Sequence, residues 1–296
     1  MADKNNRLNI AQISPPFIPI KEDITYGGIE RIVWHLDRAY TEEGHKSFVV
    51  APADSSPSGV LKPTIKDSIG ADFTNFGRDE VFLRLEHLAK SIEYANSGYD
   101  VVHSHDDNLL AFLDQINAPV LLTLHSPNRD FWQANKHTEL AQRTEQYNLV
   151  SVSNALREQY KKNGFHVRFV VHNGLDVNSF KFRDKKENYI LSLGLITECK
   201  GTHLAIQVAE KIGIDLIIAG TKDDDYFERE IRPHITHDLS QEENKLESYL
   251  HLQGRNSGVV YVGQVNDSQK KPLYASAMCF LHPTLFEDPF PTVVIE

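Results

Sequence analysis

The second half of the sequence holds a lysine and a glycine in a place where they could bind an anion. Lys200 and Gly201 end the turn GLITECKG, which follows the strand-like apolar run YILSLG (189–194). A helix that begins here would add its free backbone amides and its dipole to the lysine ammonium, and this combination binds phosphate. The turn therefore predicts a phosphate site; the alternative is a solvated lysine beside a glycine that closes the turn.

A pair of acids follows another apolar run. Asp288 and Glu296 lie in EDPFPTVVIE, after MCFLHP (278–283), and are separated by seven residues. The stretch is predicted to lead into a helix with Pro291 at its first position, where a missing amide costs nothing. Carboxylates placed there accept hydrogen bonds from the hydroxyls of a sugar or a ribose. Otherwise the two acids only decorate a surface helix.

Parallel strands are predicted to position these side chains. Short β-branched runs alternate with amphipathic helices, such as those at 29–40 and 81–95, which indicates a parallel sheet covered on both faces. Ligands bind such sheets at the carboxyl ends of the strands. The strand-like runs are 8–14, 47–52, 100–105, 119–125, 149–153, 168–173, 189–194, 214–220, 259–263 and 278–283.

The alternating pattern begins anew after a charged, turn-rich stretch near 180–187. We therefore predict an α/β chain of two Rossmann-like domains, 1–182 and 183–296, whose parallel sheets face a shared cleft. The polar segment 221–257 is interpreted as a surface insertion.

The composition is that of a globular protein and argues against two classes of partner. Hydrophobic residues make up 41% and charged residues 24% of the 296 residues, which is the usual balance for a soluble chain. The net charge of −10 disfavours nonspecific binding to nucleic acid or to an anionic membrane surface. No apolar run approaches the roughly 20 residues that span a bilayer, and the first ten residues, MADKNNRLNI, lack an apolar signal core. With Cys199 and Cys279 as the only cysteines, no disulfide framework is available, and we predict a cytoplasmic protein.

Together these motifs resemble those of glycosyltransferase family 4, a retaining group with the GT-B architecture of two facing Rossmann-like domains. The resemblance runs along nearly the whole chain in family order, and its last three motifs in combination are the most specific. The motifs are YGGIER (26–31), DVVHSHD (100–106), TLHS (123–126), SVSNAL (151–156), VVHNGLDVNSF (170–180), GLITECKG (194–201) and EDPFPTVVIE (287–296).

The resemblance implies transfer of a sugar from a nucleotide-diphosphate sugar to a small-molecule, glycan or lipid-linked acceptor, without a metal or other cofactor. Lys200 would neutralise the donor diphosphate, and Glu296 would bind the ribose hydroxyls. Asp288 or its neighbour Glu287 would hold hydroxyls of the transferred sugar. The remaining implied contacts are His125 against the sugar near the reacting carbon, the amides around Phe290 on phosphate or sugar, and Gly27 and Gly28, where the backbone approaches the diphosphate or acceptor.

The sequence departs from the family pattern in the donor site and at its end. Leu195 stands where the family usually has an arginine, which removes a bidentate phosphate contact typically worth about 1.5–3 kcal/mol; Arg31 is a candidate replacement. Asp288 replaces the usual glutamate, and Pro291 the usual glycine. Further elements follow the acid-bearing helix in the family but not Glu296, so we expect an incomplete second domain, with lower stability or self-association into homo-oligomers and with weak or absent catalysis.

Two other functions remain open. The run HSHDDN (103–108) places His103, His105 and Asp107 directly after a strand, which resembles the first ligand cluster of metallo-β-lactamase-like hydrolases and suits zinc or a two-metal centre. Asn108 stands where that cluster usually has another histidine, and the two antiparallel sheets of those hydrolases differ from the predicted parallel ones. The second alternative is a protein that binds a nucleotide sugar or a partner chain without turnover. A dinucleotide-dependent dehydrogenase is disfavoured, because no G-x-G-x-x-G turn follows the first strand of either domain.

Overall fold

The computed structural model describes residues 7–70, 77–127, 138–252 and 258–296. The chain divides into two compact units. The first unit comprises Met1–Glu22 and Gly27–Gly174, and the second comprises Asp23–Tyr26 and Leu175–Glu296. The predicted domain boundary at 182/183 stays a prediction.

The first unit is built on a seven-stranded sheet in the order β3-β2-β1-β4-β5-β6-β7, and every neighbouring pair is parallel. Because all strands run the same way, their carboxyl ends lie along one edge of the sheet. The strands are β1 (Asn9–Ile13), β2 (Lys46–Ala51), β3 (Val60–Pro63), β4 (Val101–Ser104), β5 (Val120–Leu124), β6 (Asn148–Ser151) and β7 (Phe169–Val170).

All consecutive strands of this sheet are connected through helices except β2 and β3, which residues 52–59 join without one; such helical connections are usual for parallel pairing. The first of them buries Val33 and Trp34 against Val49 and Ala51 of β2. The helices of the first unit are α1 (Gly28–Glu42), α2 (Arg78–Ala95), the 3₁₀ helix Asp107–Gln115, α3 (Glu139–Arg143) and α4 (Asn154–Lys162).

The second unit holds a five-stranded parallel sheet in the order β10-β11-β9-β8-β12. Its central strands are apolar at consecutive positions because both faces are covered. Ile190 and Ile218 pack in the cluster on one face, and Leu191 and Ile217 in the cluster on the other. The strands are β8 (Tyr189–Leu193), β9 (Asp215–Ala219), β10 (Ile235–Asp238), β11 (Val259–Tyr261) and β12 (Cys279–Phe280).

The α-helices of the second unit flank this sheet. Two 3₁₀ turns, Val177–Ser179 and Glu198–Lys200, belong to the same unit. The helices are α5 (Thr202–Ile212), α6 (Asp224–Tyr226), α7 (Lys245–Leu252), α8 (Asp267–Ser276) and α9 (Thr292–Ile295), and a π-helical turn, Phe227–Ile231, continues α6.

The interpretation of 221–257 as a surface insertion is wrong. Strand β10 in this segment pairs with β11 and so extends the sheet. Phe227 and Ile231 are fully buried in the core of the second unit, and Tyr249 is fully buried on the opposite face. The segment is mostly polar, and its few apolar residues, which pack in the core, gave too weak a pattern to indicate burial.

None of the helices in the described ranges is long and apolar enough to cross a bilayer.

Candidate functional site

The predicted phosphate turn lies at the carboxyl end of β8. A 3₁₀ turn, Glu198–Lys200, follows this strand, and α5 begins at Thr202 directly after Gly201. Gly201 has φ 70° and ψ 26°, a left-handed conformation that favours glycine. A Cβ added to Gly201 would overlap the carbonyl oxygen of Pro283, in the chain after β12. The glycine thus lets the Lys200 turn pack directly on the segment that carries the acids.

Replacing Gly201 by alanine is expected to lower the free energy of unfolding by about 2–5 kcal/mol. Left-handed backbone costs a non-glycine residue about 1–2 kcal/mol, and forcing apart two packed backbones adds typically about 1–3 kcal/mol. Gly213→Ala is the matched control, because Gly213 caps the other end of α5 at φ 69° and a Cβ there meets no described atom within 4 Å. Urea titration of both variants measures the difference; equal losses would contradict the close packing of Gly201 on Pro283.

Asp288 and Lys200 form an ion pair at this edge of the second sheet. Lys200 Nζ donates to Asp288 Oδ2 at 2.5 Å, and His282 Nε2 lies 3.4 Å from the same oxygen. The ammonium also lies over the ring of Phe286, 4.9 Å from its centroid. Strands β8 and β12 are parallel neighbours, and for this reason residues that follow them meet.

Electrostatics keep Asp288 ionised although it is largely buried. Burial alone would raise the pKa of this carboxyl, but the approach of His282, the hydrogen bond from Lys200 and the lysine charge hold the pKa below its usual value. The neighbouring Glu287 is exposed to solvent. Of the two acids that the sequence left open, Asp288 is therefore the one that shares a site with Lys200.

Glu296 is paired with a different lysine. Its Oε1 accepts a hydrogen bond of 2.5 Å from Lys270 Nζ on α8, and both side chains are buried. Pro291 directly precedes α9 instead of being its first residue, and Phe290 is partly buried beside it. The structure thus brings Lys200 and Asp288 together and gives Glu296 its own cationic partner.

The first unit gathers three histidine rings where β4 and β5 end. His105 Nδ1 lies 2.9 Å from His125 Nε2, and the rings of His103 and His105 are 4.1 Å apart between centroids. His103 contacts Thr123 Oγ1 at 2.8 Å through Nε2 and the Tyr40 hydroxyl at 3.3 Å through Nδ1. Neighbouring parallel strands place these residues side by side, as β4 pairs with β5.

Burial makes these imidazoles neutral at physiological pH. It lowers the pKa of His103 to about 4 and the pKa of His125 to about 3, and it holds the pKa of His105 well below its ordinary value. A neutral His125 can donate or accept a hydrogen bond but carries no charge. Its predicted contact with the sugar would therefore be a polar contact and not ionic stabilisation.

The glycine-rich turn of the first unit leads into α1. Gly27 has φ 125°, a value that favours glycine, and α1 begins at Gly28. A Cβ added to Gly28 would meet no described atom within 4 Å, so the backbone there is open to a close approach. In the motif VVHNGLDVNSF (170–180), Asp176 belongs to the second unit and caps the turn Val177–Ser179 by accepting from the amide of Asn178.

Sequence reasoning missed three polar residues of these sites. Apart from Asp267 one turn earlier, nothing in the sequence indicates that Lys270 is buried and paired, because a helical lysine is normally solvated. His282 lies within the run that was predicted to be a strand and gives no further indication. Glu30 follows the glycine-rich turn, and only its burial in the fold, which raises its pKa to about 7, distinguishes it from a surface acid.

The metal-centre alternative finds no support in the histidine cluster. No group of three or more histidine, cysteine or carboxylate side chains in the described part of the chain is arranged to hold a metal ion. Both sheets are parallel, unlike the antiparallel sheets of the hydrolases considered above.

Comparisons with known proteins agree with this architecture. Residues 26–179 match the family described as Glycosyltransferase Family 4, and residues 177–296 match that described as Glycosyl transferases group 1. No curated protein matches the chain in sequence.

Solved structures of glycosyltransferases have a similar fold. AviGT4, a glycosyltransferase involved in avilamycin A biosynthesis, is 19% identical over 97% of this chain and 75% of its own, with a TM-score of 0.64. Alr3699/HepE of Anabaena, solved with UDP and glucose, is 16% identical over 98% of this chain and 77% of its own, with a TM-score of 0.66. An α-glucosyltransferase solved with UDP and DNA is 12% identical over 92% of this chain and 72% of its own, with a TM-score of 0.57.

The predicted α/β fold with two parallel sheets is thus confirmed, and its structural neighbours are GT-B glycosyltransferases. Since the first family match covers more than half of the 296 residues, the chain belongs to glycosyltransferase family 4 and is a glycosyltransferase.

Proposed function

We propose that this protein transfers a sugar from a nucleotide-diphosphate sugar to a hydroxyl-bearing acceptor, with retention of the anomeric configuration and without a metal ion. The observation that carries the proposal is the pair formed by Lys200 and Asp288, at 2.5 Å, where β8 and β12 end. The Lys200 ammonium can bind a diphosphate, and the Asp288 carboxylate can accept hydrogen bonds from sugar hydroxyls. The diphosphate and the sugar of one donor molecule thus have binding partners at the same edge of the sheet.

The arrangement fits the charges that develop as the donor bond breaks. Cleavage between the anomeric carbon and phosphate leaves positive charge on the sugar and negative charge on the diphosphate. An ammonium that is already fixed beside the diphosphate lowers the barrier, because it needs no reorganisation during the reaction. Lys200 thereby supplies the neutralisation that a divalent cation supplies elsewhere.

Asp288 is suited to accept hydrogen bonds from the hydroxyls of the transferred sugar. It is ionised and has a second oxygen, Oδ1, in addition to the Oδ2 that Lys200 and His282 approach. A carboxylate that keeps its charge accepts hydrogen bonds from neutral hydroxyls more strongly than a neutral group does. We assign the ribose hydroxyls to Glu296 and the reacting sugar to Asp288.

Binding without turnover is the second candidate, and Leu195 favours it. An arginine at this position would have offered the diphosphate a bidentate partner, which leucine lacks. Release of nucleoside diphosphate from a bound nucleotide sugar distinguishes the two functions.

The test is a panel of ADP, GDP, UDP and CDP sugars in buffer with EDTA. We expect one base to raise the melting temperature, since a ligand at 100 times its Kd stabilises the folded protein by about 2.7 kcal/mol. The same donor should release nucleoside diphosphate when a sugar acceptor is added, and NMR of the product should show the donor's anomeric configuration. Binding with no release would favour the second candidate, and binding of none of the four bases would contradict both.

A further inference from the structure

Glu296 is held in the interior of the second unit and not at an open surface. The exposed fractions of the Glu296 and Lys270 side chains are 4% and 5%, and Lys270 Nζ lies 2.5 Å from Glu296 Oε1. The second oxygen, Oε2, is buried and has no hydrogen-bond partner among the described residues. A buried acceptor without a donor is costly, so this oxygen points to a partner other than the described residues.

Helix α8 fixes the position of the lysine. The helix begins with a capping box in which Asn266 and Gln269 satisfy each other's backbone amides. One turn into it, Lys270 Nζ also contacts Asp267 Oδ1 at 3.2 Å. Further along, the Tyr274 hydroxyl donates to the carbonyl of Val293 in α9 at 3.1 Å. Helix α8 thus contacts both Glu296 and α9, the short helix that directly precedes Glu296.

We propose that Lys270 is the positioning residue for the ribose of the donor, acting through Glu296. Its ammonium donates a hydrogen bond to Oε1 and so fixes the carboxylate in one orientation. Oε2 is then left to accept a hydrogen bond from a ribose hydroxyl. The inference rests on the proposed function, because it assigns the machinery that binds the nucleotide end of the same donor. Oε2 is covered in this structure, so ribose binding requires a small local displacement of the chain around it.

The physical reason for a lysine at this position is the burial of Glu296. Without a donor, Oε1 would be a second buried oxygen lacking a hydrogen-bond partner, and the carboxylate would have no cation beside it. Lys270 supplies both the donor and the cation at Oε1, the oxygen that the ribose does not occupy, so it need not touch the ligand.

The test compares Lys270→Met with the unmodified protein in binding two ligands. One is the nucleoside 5′-diphosphate selected from ADP, GDP, UDP and CDP, and the other is its 2′,3′-dideoxy analogue, which lacks the ribose hydroxyls. The unmodified protein should bind the complete nucleotide about 10-fold or more tightly than the analogue, as expected for a hydrogen bond to a charged group. In Lys270→Met this ratio should fall to about 1–3, while affinity for the analogue changes less than about twofold, since the lost contact is the one the analogue lacks.

The ratio separates positioning from a merely structural role. A variant that only loosens the second unit would bind both ligands more weakly and keep the ratio. Lys271→Met is the matched control: this neighbouring side chain is more exposed and approaches Asp267 at 3.7 Å, so the ratio should stay as in the unmodified protein. Calorimetric titration gives all the affinities.

The outcomes distinguish this inference from the proposed function. If the unmodified protein binds no nucleoside diphosphate, both are overturned. If it prefers the complete nucleotide and Lys270→Met keeps that preference, only the role of Lys270 is overturned. Should Lys270→Met fail to fold, Lys270→Gln, which retains a hydrogen-bond donor without the charge, takes its place with the same expected loss of the ratio.

Discussion

Replacing Lys200 by alanine is expected to lower kcat/KM for sugar transfer about 100- to 1000-fold, the loss typical of removing one preorganised group that stabilises transition-state charge. The charge on the diphosphate grows as the donor bond breaks, and Lys200 is the cation that the turn after β8 supplies. Leu195, where the family usually has an arginine, should make the protein more dependent on this single ammonium.

The ion pair with Asp288 is part of the reason for so large an effect. A free lysine chain has many rotamers, and holding it in one costs up to about 2 kcal/mol of conformational entropy. Asp288 Oδ2 and the ring of Phe286 already confine the ammonium. In the proposed reaction the donor would meet a cation whose position is set beforehand, and alanine would remove both the charge and this preorganisation.

Lys211→Ala is the matched control for this experiment. Lys211 lies near the opposite end of α5 and is exposed, so its loss should change kcat/KM less than about twofold, as is usual for an exposed charge. Nucleoside diphosphate release, measured together with the melting temperature, separates lost chemistry from lost folding. A folded Lys200→Ala protein with a third of the original activity would refute the role of Lys200.

Much of this fold was predictable, because parallel sheets leave a strong signal in the sequence. Each of the ten strand-like runs coincides with a strand, and the buried stretches of β8 and β9 are apolar at almost every position. The two strands that were missed are β3 (Val60–Pro63) and β10 (Ile235–Asp238), which lie at sheet edges and have exposed or half-buried residues. An edge strand need not be continuously apolar, so composition does not reveal it.

The candidate site was predictable only where its residues follow neighbouring parallel strands. Lys200 and Asp288 follow neighbouring parallel strands, and topology therefore brings them together. The Lys270–Glu296 pair depends on how α8 packs on the chain after β12, which no local pattern encodes. A buried lysine is exceptional, and its partners become evident only in the folded protein. The roles of these residues in transfer stay predictions.

Mild acid is expected to unfold the first unit well before the carboxylates of the chain are neutralised. Four buried histidines there have depressed pKa values: about 4 for His87 and His103, about 3 for His125, and a value well below 6.5 for His105. In the unfolded chain these groups titrate near 6.5, so it binds protons that the folded protein does not. Their contribution to stability is present above that pH and is lost as the pH falls towards the folded pKa values.

Two buried acids act in the opposite sense. Burial raises the pKa of Glu30 to about 7 and also raises the pKa of Asp106. A folded carboxyl that keeps its proton while the unfolded one has lost it gains stability as the pH falls, from about 7 towards 4.5 for Glu30. Four histidines outnumber these acids, so the net loss between pH 6 and pH 5 should be on the order of 2 kcal/mol per pH unit.

Tryptophan fluorescence measures this loss in the first unit alone, because the only two tryptophans, at positions 34 and 132, fall within Gly27–Gly174. Urea titrations at pH 7.5, 6.5, 5.5 and 5.0 should give midpoints that fall with pH, and the shift should be smaller in His103→Gln, which removes one of the four imidazoles. Glu30→Gln should make the fall steeper, since it removes a group that opposes it. A urea midpoint that stays constant from pH 7.5 to pH 5.0 would mean that these histidines take up protons without destabilising the first unit. Such a result would contradict the interpretation of His105 and His125 as a neutral hydrogen-bonded pair.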